Sequence, residues 1–268
     1  YNKSPKPYFP NKKYNINYFP PQLIKKSIFR NHKINYNIDK TILLEGMTMK
    51  KHVVCFGDSN THGYCAKTGG RFDENQRWTC LLQKKLGDQW LILEEGLSGR
   101  TTTFDDPIHE ALSGLDYVYP CLMSHEPVDL LIIMLGTNDT KERFGASAEC
   151  IALGLKRLIS KAVSTTDCWK NGRPSILIVT PQNIDKRYET SEVGGTMGKG
   201  CAEKSQKLAE EYKKIADLTG CAYLDANQVV TAEPNNVDFM HLTEEGHRQL
   251  AEALSEIIPE ILSCGTTL

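Results

Sequence analysis

HVVCFGDS, residues 52–59, is a short apolar run closed by a glycine and followed by an acid and a serine. A run of this length without polar alternation reads as a strand buried on both faces. Downstream, Leu91-Ile92-Leu93, Asp129 to Leu135, Ile176 to Val179 and Ala222-Tyr223-Leu224 repeat it. Helical patterns cover about Trp78 to Leu86, Ser147 to Ala162, Ala202 to Leu218 and Glu244 to Leu262. Their apolar residues recur at three and four, as Leu250, Leu254, Ile257 and Ile258 do. Buried strands alternating with helices predict an α/β fold, a parallel sheet covered on both faces. Two long connections interrupt the alternation, Thr101 to Pro120 and Pro181 to Gly200. Both would leave near strand C-terminal ends, where such sheets bind ligands, so we expect pocket walls, a lid or oligomer contacts.

Three polar motifs follow apolar stretches or lie near the C-terminus. They are Gly57-Asp58-Ser59, Gly136-Thr137-Asn138-Asp139 and Asp238-Phe239-Met240-His241. A serine hydroxyl is a poor nucleophile unless a histidine takes its proton and a carboxylate orients that histidine. Asp238 and His241 are three residues apart, so one loop can carry both. Ser59 lies far upstream, where only a fold could bring it to them. Alone, Ser59 would read as a turn serine capping a helix. With the other motifs it reads as a nucleophile, His241 as its base and Asp238 as the acid that fixes the imidazole tautomer. Asp238, His241 and His247 could also be taken as metal ligands. His247 falls inside the following helix and no second cluster appears, so no metal is expected. There is no Gly-x-Ser-x-Gly elbow, and Gly198-Lys199-Gly200 fits neither a phosphate loop nor a dinucleotide fingerprint.

Gly57-Asp58-Ser59, Gly99, Gly136-x-Asn138-Asp139 and Asp238-x-x-His241 resemble, in order, the four sequence blocks of the SGNH (GDSL) hydrolase family. Arg77-Trp78-Thr79, Glu94 to Thr102 and Ile132 to Lys141 resemble its arylesterase/acyltransferase branch. The resemblance spans roughly Lys51 to Leu262. It implies a flavodoxin-like three-layer α/β/α fold with a central five-stranded parallel sheet. It also implies that the Ser59 and Gly99 backbone amides and the Asn138 side chain form an oxyanion hole. Taken alone, Gly99 would be a turn glycine and Asn138 a loop-capping amide. Asp58 and Asp139 are expected to hydrogen-bond the surrounding loops. Arg77 and Trp78 would brace the site or line its rim, with a surface-packing tryptophan an equal reading. Asn60 stands where the family name implies leucine, a departure that bears on local packing.

The implied activity is hydrolysis of short, acetyl-type esters through an acyl-serine, with transfer to a second alcohol as a side reaction. A carbohydrate O-acetyl esterase and a non-catalytic binding module are the alternatives. The expected partner is a small-molecule ester, with no cofactor, and the branch implies a homo-oligomer.

The 268 residues carry a net charge of −1, unevenly spread. Residues 1–46 hold nine Lys/Arg against two Asp/Glu, leaving the remainder acidic. An acidic body argues against nucleic-acid binding. Nine scattered cysteines without a Cys-x-x-Cys pair suit reduced thiols in a cytoplasmic protein. The longest apolar run in the first 46 residues is Ile42-Leu43-Leu44, too short for a secretory signal, and Leu130 to Leu135 is too short to span a bilayer. Residues 1–46 read as a basic, poorly ordered extension or one foreign to the native product. Leu23 to Phe29 is weakly amphipathic, and Met47 or Met49 is a natural start. Residues 47–268 are expected to form the hydrolase domain.

Overall fold

The computed structural model describes residues 49–263. The expectations for residues 1–46, including the amphipathic piece at Leu23 to Phe29, lie outside the described residues. Five strands form where the apolar runs place them: β1 Lys51–Gly57, β2 Trp90–Gly96, β3 Leu130–Met134, β4 Ile176–Thr180 and β5 Ala222–Asp225. They make one parallel sheet in the order β2-β1-β3-β4-β5. This is the flavodoxin-like order, and its direction reverses between β1 and β3. The crevice outside the C-terminal ends of those two strands, at Gly57 and Met134, is where such sheets place a ligand.

The long helices are α1 Trp78–Leu86, α2 Gly114–Ser124, α3 Ala148–Ser164, α4 Cys201–Thr219 and α5 Glu244–Ser263. Successive strand residues point to opposite faces. Val54, Phe56, Leu131, Ile133 and Ile178 pack in one core with residues of α2, α3 and α4. Val53, Cys55, Leu130, Ile132 and Val179 pack in the other with α1 and α5. Covering both faces explains why the strands show apolar runs rather than alternation. Each fully buried aliphatic or phenyl side chain contributes roughly 1.5–3 kcal/mol. The expected three-layer α/β/α fold is therefore present.

One element differs from expectation. The connection from Thr101 to Pro120 carries α2, which begins at Gly114 and contains Pro120. A proline inside a helix removes one backbone bond, here to the carbonyl of Asp116. Both residues are exposed, so water can satisfy that carbonyl, while Leu115, Val118, Cys121 and Leu122 bury the opposite side. Among the described residues no helix is long and apolar enough to cross a membrane.

Candidate active site

Ser59 opens a single helical turn, Ser59–His62, directly beyond β1. Asp58 caps that turn, its carboxylate accepting from the Asn60 amide at 3.0 Å. Gly96 at the end of β2 packs against the same turn so closely that a Cβ there would lie 2.1 Å from the His62 nitrogen. The sheet thus sets the height of Ser59 through two neighbouring strand ends.

The Asp238–His241 loop meets Ser59 from the far end of the chain. His241 Nε2 lies 2.7 Å from Ser59 Oγ, and its Nδ1 lies 2.6 Å from Asp238 Oδ2. Asp238 is buried; its other oxygen accepts from the Asn235 amide at 2.8 Å and from the Met240 and His241 backbone amides at 3.1 Å each. Burial alone would raise its pKa; the His241 contact and these donors outweigh it and hold the carboxyl well below its ordinary range. Asn235 uses its whole amide, also donating to the His241 carbonyl at 2.7 Å and accepting from the Val237 and Asp238 amides. The loop is tied to the serine turn by Asn60, whose Oδ1 accepts from the Leu242 amide at 2.9 Å. The Tyr64 ring packs against His241 at 4.6 Å between centroids.

Ser59, Gly99, Asn138 and His241 line one cavity of about 220 Å³. Gly99 has φ 90°, a left-handed conformation that glycine adopts without strain. Asn138 Nδ2 donates to the Arg100 carbonyl at 3.2 Å and reaches Asp58 Oδ2 only at 3.5 Å. Apolar walls come from Tyr64, Val193, Met197 and Met240, with Thr137 and Lys141 as polar ones. The second long connection thus supplies Val193 and Met197. Asp139 is fully buried beneath and accepts from the Thr102 amide and hydroxyl at 2.9 and 2.5 Å; burial, outweighing those donors, pushes its pKa up to about 6. Burial also raises Asp58, whose amide partner and His241 pull the other way.

Arg77 and Trp78 stand behind the cavity rather than on its rim. Arg77 forks onto Glu94 of β2 at 3.0 and 3.1 Å. Trp78 is 1% exposed, and its indole donates to the Asn60 carbonyl at 3.1 Å. His247, inside α5, is fully buried, and its Nδ1 faces the Trp78 amide at 3.4 Å; burial lowers its pKa to about 3. Among the described residues one group, Glu95, Cys121 and His125, brings metal-type ligand atoms within 4.8 Å of one another. There His125 Nε2 already pairs with Glu95 at 2.6 Å, and burial, reinforced by Glu95, drives the Cys121 thiol pKa far up.

Sequence reasoning assigned no role to Asn235, Tyr64 or Lys141. Asn235 could have been found as a turn-forming amide three residues before Asp238. Lys141 closes the Ile132 to Lys141 block, and Tyr64 carries no local signal.

A family model described as GDSL-like lipase/acylhydrolase matches residues 55–249. No curated protein matches the chain. Among solved structures, Est24, a carbohydrate acetylesterase from Sinorhizobium meliloti, is 35% identical with a TM-score of 0.70, covering 79% of this chain and 99% of its own. The M. smegmatis aryl esterase is 34% identical with a TM-score of 0.71, over 79% and 99% respectively. A carbohydrate acetylesterase family member from Sinorhizobium meliloti is 32% identical with a TM-score of 0.71, over 80% and 99%. With the family model matching well over half of its length, the chain belongs to the GDSL-like lipase/acylhydrolase family and is a carboxylic ester hydrolase.

Proposed function

We propose that the enzyme is a serine esterase for short, acetyl-type esters, with Ser59 as nucleophile. The observation that carries this reading is the line from Ser59 Oγ to His241 Nε2 at 2.7 Å and on from Nδ1 to Asp238 at 2.6 Å. In this reading His241 takes the Ser59 proton as Oγ attacks the ester carbonyl, and Asp238 stabilises the imidazolium. The tetrahedral oxyanion accepts from the Ser59 and Gly99 amides and from Asn138. Because the Asn138–Asp58 contact is stretched to 3.5 Å, that N–H is the one free to turn to the oxyanion. His241 then protonates the departing alcohol, and water, activated by the same imidazole, releases the acid. A second alcohol in place of water gives acyl transfer.

A cavity of about 220 Å³ is smaller than typical sites for drug-sized ligands, roughly 300–1,000 Å³, which supports a small acyl group. The apolar wall of Tyr64, Val193, Met197 and Met240 favours alkyl or aryl alcohols. A carbohydrate acetyl ester is the second reading, favoured by the names of the Sinorhizobium meliloti neighbours. Hydrolysis of p-nitrophenyl acetate should fall at least about 10³-fold in Ser59→Ala. Equal rates in both proteins would remove Ser59 from the mechanism. Faster cleavage of acetylated xylo-oligosaccharide than of phenyl acetate would favour the carbohydrate reading.

The proposal extends to a cytoplasmic homo-oligomer. The eight described cysteines are all unpaired, as a reducing compartment would keep them. Leu97, Ile108, Tyr117 and Tyr119 are exposed apolar residues close together in sequence, which supports a subunit contact. A monomeric mass by light scattering would dismiss the oligomer.

A further inference from the structure

Lys141 ends the short turn that begins at Asn138, and its side chain lies in the wall of the Ser59 cavity. The residue is only 4% exposed. Among the described residues its ammonium finds one carboxylate within 4 Å, in a long ion pair to Asp106 Oδ2 at 3.6 Å. Asp106 is already committed. Arg143 donates to the same oxygen at 2.8 Å and the Ile108 amide to the other at 2.9 Å. Burial would raise the Asp106 pKa, but Arg143, that amide and Lys141 itself hold it down at about 2. Asp106 thus faces two cations, Arg143 at 2.8 Å and Lys141 at 3.6 Å, with one negative charge between them. Asp139 also attracts Lys141, but its oxygens are taken by Thr102.

A buried charge is costly unless it is paired. Here one carboxylate serves two cations, and Lys141, the more distant of them, stands in the wall of the Ser59 cavity. Resting on the Ser59 reading, we infer that Lys141 forms a carboxylate-binding subsite, so that the preferred esters carry a carboxylate on their acid or alcohol half. A carboxylate supplies the one further negative charge that two cations sharing Asp106 leave wanting, and its oxygens accept short charge-assisted hydrogen bonds from an ammonium. A phosphate, carrying about −1.5 to −2 at neutral pH, would bring excess negative charge towards Asp58 and Asp139.

The test is calorimetric binding to the Ser59→Ala protein, which needs no turnover. The probes are 4-acetoxybenzoate and monomethyl glutarate, which place the anion on the alcohol and acid halves, each compared with its neutral methyl ester. At least one anion should bind about tenfold more tightly than its methyl ester, the worth of one charged hydrogen bond. Lys141→Met in the same background should abolish that difference, and Lys141→Gln serves if the methionine variant does not fold. Anions that bind no better than their methyl esters would overturn the subsite, whatever the variants do. So would a preference that survives loss of the ammonium. The serine mechanism stands or falls separately, on p-nitrophenyl acetate turnover.

Discussion

Asn60 does more than fill the space next to Ser59. Its backbone carbonyl accepts the Trp78 indole, and its side chain accepts the Leu242 amide. It therefore joins the serine turn to the histidine loop on one side and to α1 on the other. The sequence showed only the departure from leucine and suggested local packing; the partner 182 residues away was invisible to it. Ser59, Asp238 and His241 could be named as candidates because each sits in a short polar motif, and the structure sets them within hydrogen-bonding distance of one another. Asn235 was not named, because its purpose lies in four hydrogen bonds that exist only once the loop has closed. Asn60→Leu is expected to leave the Leu242 amide unpaired at a cost of about 1–3 kcal/mol. Urea unfolding should show that loss, and kcat on p-nitrophenyl acetate should fall about tenfold or more as the two loops drift apart. Wild-type values for both would mean that the bond is incidental.

The five strands of the main sheet and four of the five long helices were read nearly to their ends, with α2 missed and β2 cut short. Pro120 concealed α2 because a proline normally argues against a helix interior. β2 extends to Gly96, beyond the predicted Leu93, because Glu94 and Glu95 do not look like strand residues. They are tolerated at this sheet edge by specific partners: Arg77 and Thr79 bind Glu94, and His125 binds Glu95. Between α1 and α5, His247 gives the fold a pH dependence. Its pKa drops from an ordinary 6.5 to about 3 on folding, so between these values the unfolded chain binds more protons. Stability from this residue is therefore complete above about pH 6.5 and is lost as pH falls towards 3. From pH 7 to 5 the loss is about 2 kcal/mol. Asp139, with its pKa raised to about 6, acts in the opposite sense, its contribution being lost as pH rises. The comparison must therefore be with His247→Gln, whose stability by urea unfolding should fall less by that amount. Parallel pH slopes for the two proteins would show that His247 is not the group responsible.

Every residue proposed for chemistry lies between Ser59 and His241, and the family match covers residues 55–249. On that ground the 47–268 chain should fold alone and hydrolyse p-nitrophenyl acetate as fast as the 268-residue chain. A drop beyond about threefold would give the basic first 46 residues a part in the enzyme. The contact between Ser59 and His241 spans 182 positions of sequence. During translation at about 5–20 residues per second, the histidine is made on the order of ten to forty seconds after the serine. A nascent chain thus presents the Ser59 hydroxyl without its proposed base until the Asp238–His241 loop has left the ribosome. Products that end before His241 therefore carry the Ser59 hydroxyl without the base proposed to activate it.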